Sequence, residues 1–183
     1  MVDGRKKGNR GELTIAKMLQ AWWAPIDPTT VFKRTPQSGG WGSKQVRGDH
    51  KVAGDICTKA KHWPFTVEVK RREGWSFARF SGGKPSPVWG WWLQCLGEAA
   101  EEDRIPMLCV RKNRQPWMFL LPERVLVPVL VRVGQSPDLT FQKLDKKIDY
   151  GDILPAMVFG EKFLAIDPHA WIKRIRGSRK IPI

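Results

Sequence analysis

The sequence contains little cysteine: three residues in a chain of 183, with no C-x-x-C pair among them. Zinc sites and disulfide frameworks use clustered or paired cysteines, so we expect neither in this protein. Cys57, Cys95 and Cys109 are therefore interpreted as buried free thiols of a protein in a reducing compartment.

Long apolar runs are missing as well. No uncharged apolar run approaches the roughly 18 residues that indicate a membrane-spanning helix. The basic N-terminus is not followed by the apolar stretch of about 7–15 residues that marks a signal peptide, so we expect none. Together these absences predict a cytoplasmic protein with no membrane partner.

Acidic residues are outnumbered: 18 Asp and Glu stand against 32 Lys and Arg, which gives a formal net charge of +14 and a pI near 10.1. Such an excess predicts a polyanionic partner, and nucleic acid is the commonest one. Two other polyanions would also fit the charge. One is an anionic membrane surface, which we do not expect because the sequence shows no long basic amphipathic helix. The other is RNA, on which the chain could pack as a structural protein.

The hydrophobic pattern of residues 9–121 predicts the order helix, three strands, helix, two strands. Apolar residues at helical spacing place the first helix between Asn9 and Pro25. Strands are predicted at 31–34, 55–59, 65–71, 107–110 and 117–121, a second helix at 89–103, and a hairpin between the second and third strands. Most of the ten Trp residues are expected in the core. This order is that of an α/β or α+β sandwich.

The chain is predicted to divide into a core at 1–122, whose residues 1–8 form a flexible basic arm, and a C-terminal β/α extension at 123–183 packed on that core. The apolar run 125–133 is predicted to be a strand, with Pro128 at an edge or bulge. A further strand is predicted at 163–166. Asp167 and Pro168 indicate a helix start, and Gly177 a helix end. No function is predicted for the extension.

Residues 65–72, FTVEVKRR, carry the first candidate site. Apolar and polar residues alternate, so Glu68 and Lys70 project from the same face of a strand, roughly 7 Å apart. A hairpin can bring Asp55, in the sequence GDI, beside Glu68. Two neighbouring carboxylates favour a divalent cation, and hard oxygen ligands suit Mg²⁺. Lys70 could then hold an attacking water or help deprotonate it. The alternative is an ordinary solvated strand face.

Glu12 lies on the apolar stripe of the first predicted helix, where a carboxylate calls for an explanation. One explanation is a capping box, in which Asn9 is the N-cap and Glu12 occupies the third helical position. The other is a catalytic role beside Asp55 and Glu68. Both explanations stay open.

Four segments, GNRGELTIAKML, RTPQSGG, GDI and VEVKRR, occur in this order in the sequence. Together they resemble the archaeal-type Holliday junction resolvases, which are PD-(D/E)XK nucleases with relatives in phages. The resemblance implies a restriction-endonuclease-like α-β-β-β-α-β core with a mixed central sheet flanked by helices. It also implies a homodimer that nicks four-way DNA junctions and leaves 5′-phosphates. A phage-encoded relative would work in the host cytoplasm.

The resemblance also implies roles for individual residues. The implied catalytic residues are Glu12, Asp55, Glu68, Lys70 and Ser38. The cation, Mg²⁺ with Mn²⁺ able to substitute, would be held by Asp55, Glu68 and Glu12. Gln94 matches a polar active-site position of related nucleases, although a solvated helix face is the favoured explanation. Ser38 could be an ordinary loop serine.

Basic residues around the proposed site are candidates for contacts with the DNA backbone, which give affinity and register but little sequence readout. They are Arg5, Lys6, Lys7, Arg10, Arg34, Arg71 and Arg72. Two other functions stay open at this stage: a PD-(D/E)XK nuclease of the restriction or repair type, and a non-catalytic basic DNA-binding protein. No small-molecule substrate is predicted.

Overall fold

The computed structural model describes residues 4–35, 53–60, 62–77, 86–140 and 154–177. The helices are α1 (Gly4–Trp23), α2 (Pro87–Glu101), α3 (Glu123–Arg132), α4 (Gly160–Leu164) and α5 (Pro168–Gly177). The strands are β1 (Phe32–Arg34), β2 (Ile56–Thr58), β3 (Phe65–Arg71), β4 (Ile105–Arg111), β5 (Met118–Pro122), β6 (Leu139–Thr140) and β7 (Pro155–Phe159).

The strands form a seven-stranded mixed sheet in the order β1-β2-β3-β4-β5-β7-β6. Strands β3 and β4 pair in parallel over their full length, from Phe65 opposite Ile105 to Arg71 opposite Arg111, and α2 makes the crossover between them. The other pairs are antiparallel. The predicted α/β class and the α-β-β-β-α-β order of residues 1–122 are confirmed.

Apolar side chains pack on both faces of the sheet. Helix α1 shares one face with α3, α4 and α5, and Trp22, Trp23, Phe163 and Trp171 form much of that core with the aromatic residues of β3 and its preceding turn. Helix α2 covers the other face, where Trp92 is fully buried. Within the described residues no helix is long and apolar enough to cross a membrane.

The N-terminal prediction needs a correction. Helix α1 includes residues 4–8, so the helix start predicted at Asn9 is wrong, and these residues are not an arm outside the fold. Asn9 lies inside the helix, where it cannot serve as an N-cap, so the capping box with Glu12 does not form. The start signal was misleading because Asn and Glu at the right spacing also occur in helix interiors.

Two predicted strands of the C-terminal part are also wrong. Residues 125–133 lie largely in α3, whose buried residues Val125, Leu126, Val129 and Leu130 have helical spacing, and Pro128 is accommodated inside this helix. Because nearly every position of this run is apolar, its sequence does not distinguish the period of a helix from that of a strand. Phe163 belongs to α4, which directly follows the unpredicted strand β7. The helix predicted from Asp167 to Gly177 is confirmed as α5.

The C-terminal part joins the same sheet and core as the rest. Strand β7 pairs with β5 through five residue pairs, and Phe163 contacts Phe119 and Trp22. The division into a core at 1–122 and an extension at 123–183 stays a prediction. All three cysteines are free thiols, with Cys95 and Cys109 buried, and burial raises the pKa of both well above its usual value.

Candidate active site

Asp55 lies immediately before β2 in a tightly constrained turn. Gly54 has φ +78, and a Cβ at this position would lie 2.7 Å from the carbonyl oxygen of Val67, so a side chain would clash with β3. The Asp55 backbone N–H donates to that same carbonyl at 2.7 Å. The N–H of Val69 donates to Asp55 Oδ2 at 2.8 Å. The Asp55 side chain is thereby fixed against the middle of β3.

Glu68 and Lys70 project from the face of β3 that α2 covers. Glu68 is 3% exposed, so the solvated strand face considered from the sequence is wrong. Lys70 Nζ donates to Glu68 Oε1 in a close ion pair. Gln94, on α2, donates to the same Glu68 oxygen at 3.2 Å and accepts from Lys70 at 3.3 Å. The three side chains form one hydrogen-bonded group.

The pKa values of the two buried carboxyl groups, Asp55 and Glu68, are raised above their usual range. Burial raises the pKa of Asp55 to about 6, against the stabilising N–H of Val69, and nearby Glu12 and Glu98 add to the rise. Burial and the negative charge of Asp55 raise the pKa of Glu68 to about 8, because they outweigh the Lys70 ion pair. Groups of this kind are characteristic of functional sites.

Glu12 reaches the same region from α1. The Glu12 side chain is buried, with 8% of the residue exposed. It accepts a hydrogen bond from Arg34 Nε, at the end of β1, in a close ion pair. Its charge lies near enough to Asp55 to raise the pKa of that group. The structure therefore brings together Glu12, Asp55, Glu68, Lys70 and Gln94, from four different elements or their flanks. Ser38 lies outside the described residues.

The oxygen ligands fit a hard divalent cation. Asp55 and Glu68 are buried carboxylates whose mutual repulsion a cation would relieve. Among the described residues no three His, Cys, Asp or Glu side chains are grouped as ligands of one ion.

The candidate DNA-binding residues lie on α1 and at the ends of β1 and β3. Lys6 and Arg10 are exposed on α1, and Lys7 pairs with Glu73 at 2.7 Å. Arg71 donates to Asn113 Oδ1 at 3.4 Å. Arg72 is exposed directly after β3, and Arg34 pairs with Glu12. Arg5 belongs to α1, and its side chain lies outside the described residues.

Sequence reasoning missed Glu98 and Glu102, which are close to the site. Glu98 accepts from the backbone N–H of Gly54 at 3.1 Å and from Gln94 at 2.9 Å. Glu102 accepts from the backbone N–H of Ala53 at 2.7 Å. A signal was available, because Gln94, Glu98 and Glu102 recur at intervals of four. This spacing places Gln94 and Glu98 on one face of α2, with Glu102 directly after the helix end.

The chain belongs to the phage family described as "Phage putative PDDEXK endonuclease", whose model matches residues 3–169. It is similar to Protein D14 of Escherichia phage T5, with 29% identity over 156 residues, or 82% of this chain and 89% of that protein. It is also similar to the Holliday junction resolvase Hjc of Archaeoglobus fulgidus, with 13% identity and a TM-score of 0.39, over 88% of this chain and 93% of that chain.

Family membership confirms that the sequence was correctly placed among the PD-(D/E)XK nucleases and their phage relatives. Nucleases of this class cut DNA and generally depend on a divalent cation. The protein is therefore a nuclease, and the buried carboxylates of the described site are suited to hold such a cation.

Proposed function

We propose that this nuclease resolves four-way DNA junctions as a homodimer, by paired nicks that leave 5′-phosphates, with Mg²⁺ as its cation and Mn²⁺ able to replace it. The convergence of Asp55, Glu68 and Lys70 inside a chain of net charge +14 carries the chemical part of the proposal. The choice of a junction is supported by the four ordered sequence segments that resemble junction resolvases. We expect this activity in the host cytoplasm.

Asp55 and Glu68 are the residues we assign to the cation, with Glu12 as a third acidic group on the α1 side. A cation at this position supplies positive charge where phosphodiester hydrolysis builds up negative charge. The chain's contribution is orientation. Val69 fixes one Asp55 oxygen, and Gln94 and Lys70 fix one Glu68 oxygen, so neither carboxylate has to be ordered when DNA binds.

Lys70 is the residue we assign to the reacting water or phosphate oxygen. An ammonium group has three donors, and Glu68 and Gln94 accept two of them. The third can donate to an oxygen at the scissile phosphate. Since Lys70 is partly exposed at the end of β3, its ammonium is accessible from the side on which DNA would bind.

The basic residues of α1, β1 and β3 are assigned to the phosphates that flank the scissile bond. Arg34, which neutralises Glu12 in the protein alone, would exchange part of that ion pair for a DNA phosphate. Each neutralised phosphate releases counterions, so junction binding should weaken steeply with salt, with a log–log slope of about −0.9 per contact on duplex arms.

A cleavage assay on defined DNA substrates tests the proposal. Four-way junction, linear duplex, flap and single strand are incubated with Mg²⁺, Mn²⁺ or EDTA, and end labels report the position and the termini of each nick. The proposal expects cation-dependent cutting of the junction in preference to the other three. Equal cutting of duplex and junction at matched concentration would support a restriction or repair nuclease instead. No cutting of any substrate would support a DNA-binding protein.

A supercoiled plasmid that extrudes a cruciform tests the paired nicks. Two nicks made within one complex linearise the plasmid, whereas separate nicks first produce the open circle. The homodimer proposal expects linear product without accumulation of the circle, and a dimer mass by sedimentation. Asp55→Asn is the matched control: it should bind the junction at least as tightly, because it removes a negative charge beside phosphate, and should not cut.

A further inference from the structure

We propose that Glu98 and Glu102 are positioning residues for Asp55, because their carboxylates hold the backbone N–H groups of Gly54 and Ala53 against α2. The inference rests on the proposed role of Asp55. It adds two residues at the C-terminal end of α2, Glu98 and the C-cap residue Glu102, to which no cation is assigned. It concerns how the turn that carries Asp55 is kept in place.

The two N–H groups are consecutive along the chain, and the carboxylates that accept from them belong to the last turn of α2 and to its C-cap residue, Glu102. Ala53 donates its N–H to Glu102 Oε1 at 2.7 Å, and Gly54 donates its N–H to Glu98 Oε2 at 3.1 Å. Asp55 follows directly. Hydrogen bonds to a carboxylate are stronger than those to a neutral acceptor, so the pair fixes two successive peptide groups immediately before the catalytic candidate.

Both carboxylates also accept hydrogen bonds from other side chains near the site. Glu102 Oε2 accepts from Thr66 Oγ1 at 3.0 Å and from Arg104 at 3.1 Å. Gln94 Nε2 donates both to Glu98 Oε1 at 2.9 Å and to Glu68 Oε1 at 3.2 Å. The C-terminal part of α2 and its C-cap residue therefore connect the Asp55 turn to β3 and to Glu68, so the spacing of the two candidate ligands depends on these contacts.

The strand pairing around Asp55 is short, which is why the turn needs such support. Within the described residues, β2 is in register with β3 through one pair, Ile56 opposite Val67, whereas β3 and β4 share seven. Helix stability does not explain the acidic pair, since negative charge at the C-terminal end of a helix is unfavourable. Their contacts with Ala53 and Gly54 offer an explanation.

Substitutions of the two residues test the inference. Glu102→Ala and Glu98→Ala remove the acceptors, whereas Glu102→Gln and Glu98→Gln retain an oxygen for the N–H group. Glu101→Ala, an exposed carboxylate on the same helix, is the matched control. Two measurements are made: amide hydrogen exchange of Ala53 and Gly54 by NMR without cation, and kcat with junction affinity in Mg²⁺.

We expect the Ala variants to exchange the corresponding amide about tenfold faster and to lose at least about tenfold in kcat, since small misplacements of catalytic groups are costly. Junction affinity should stay within about twofold. Glu101→Ala should resemble the wild type. The Gln variants keep one acceptor oxygen for the N–H group but turn an NH2 group toward the second donor, which is Gln94 for Glu98 and Thr66 or Arg104 for Glu102, so they should fall between the wild type and the Ala variants. If an Ala variant does not fold, Glu102→Asp, which keeps the charge on a shorter side chain, should have a lower kcat than Glu102→Gln.

Two outcomes would overturn the inference: faster amide exchange with unchanged kcat, or Ala variants that lose kcat while amide exchange at Ala53 and Gly54 is unchanged. The proposed role of Asp55 in cleavage is tested separately. If Asp55→Asn cuts at the wild-type rate, Asp55 itself is misassigned. If Asp55→Asn is inactive but Glu102→Ala and Glu98→Ala keep full kcat, the assignment of Asp55 survives and the positioning role of α2 does not.

Discussion

Replacing Glu68 by Gln should stabilise the cation-free protein at alkaline pH while it abolishes cleavage. Burial raises the pKa of Glu68 from its ordinary 4.5 to about 8, so between these values the folded protein holds a proton that the unfolded chain releases. The free energy of unfolding of the wild type must then fall as pH rises through this window. The amide of the Glu68→Gln variant has no such proton to lose, and it can replace the protonated carboxyl at nearly the same volume.

The size of this stability difference follows from the pH range in which Glu68 titrates without Asp55. Asp55 has a pKa of about 6, so it contributes mainly below pH 6. One proton held only by the folded state changes stability by at most about 1.4 kcal/mol per pH unit. From pH 6 to pH 8 the wild type should therefore lose about 2 kcal/mol relative to Glu68→Gln.

Urea unfolding in EDTA, followed by tryptophan fluorescence at pH 6, 7 and 8, measures this difference. The control is Glu101→Gln on the exposed side of α2, which should follow the wild type at every pH. Histidines and other groups common to both proteins cancel in the comparison. Parallel stability curves for the wild type and Glu68→Gln would refute the argument, because Glu68 would then be charged in the cation-free fold.

Three further outcomes are expected. Mg²⁺ should raise the unfolding temperature of the wild type as a ligand of the folded state does, and should not raise that of Asp55→Asn. Gly54→Ala should cost at least about 2 kcal/mol in urea unfolding and impair cutting, because its Cβ would lie 2.7 Å from a carbonyl oxygen at φ +78. Trp171→Ala should cost about 3–5 kcal/mol, because this ring is fully buried against Phe163. Unchanged urea midpoints for the last two would contradict the packing described above.

Much of the N-terminal two-thirds of the fold was predictable because its elements have clear periods and clear ends. The alternation of FTVEVKRR identified β3, and the wide separation of Asp55 and Glu68 in sequence was bridged by an expected hairpin. The C-terminal part was less predictable. Its run of apolar residues fits a strand and a buried helix equally well, and the choice depends on packing against α5 and the sheet.

The sequence by itself determined the chemistry available to this protein: a basic chain, a few acidic residues in ordered motifs, and a lysine two residues after a glutamate. Tertiary structure decided the state of those groups. Helix α2 covers β3, which buries Glu68 and raises its pKa. Helix α1 brings Glu12 close to Asp55. The Glu98 and Glu102 contacts arise in the same way. A pKa depends on desolvation and on distances between charges, and these exist only after distant segments have packed together.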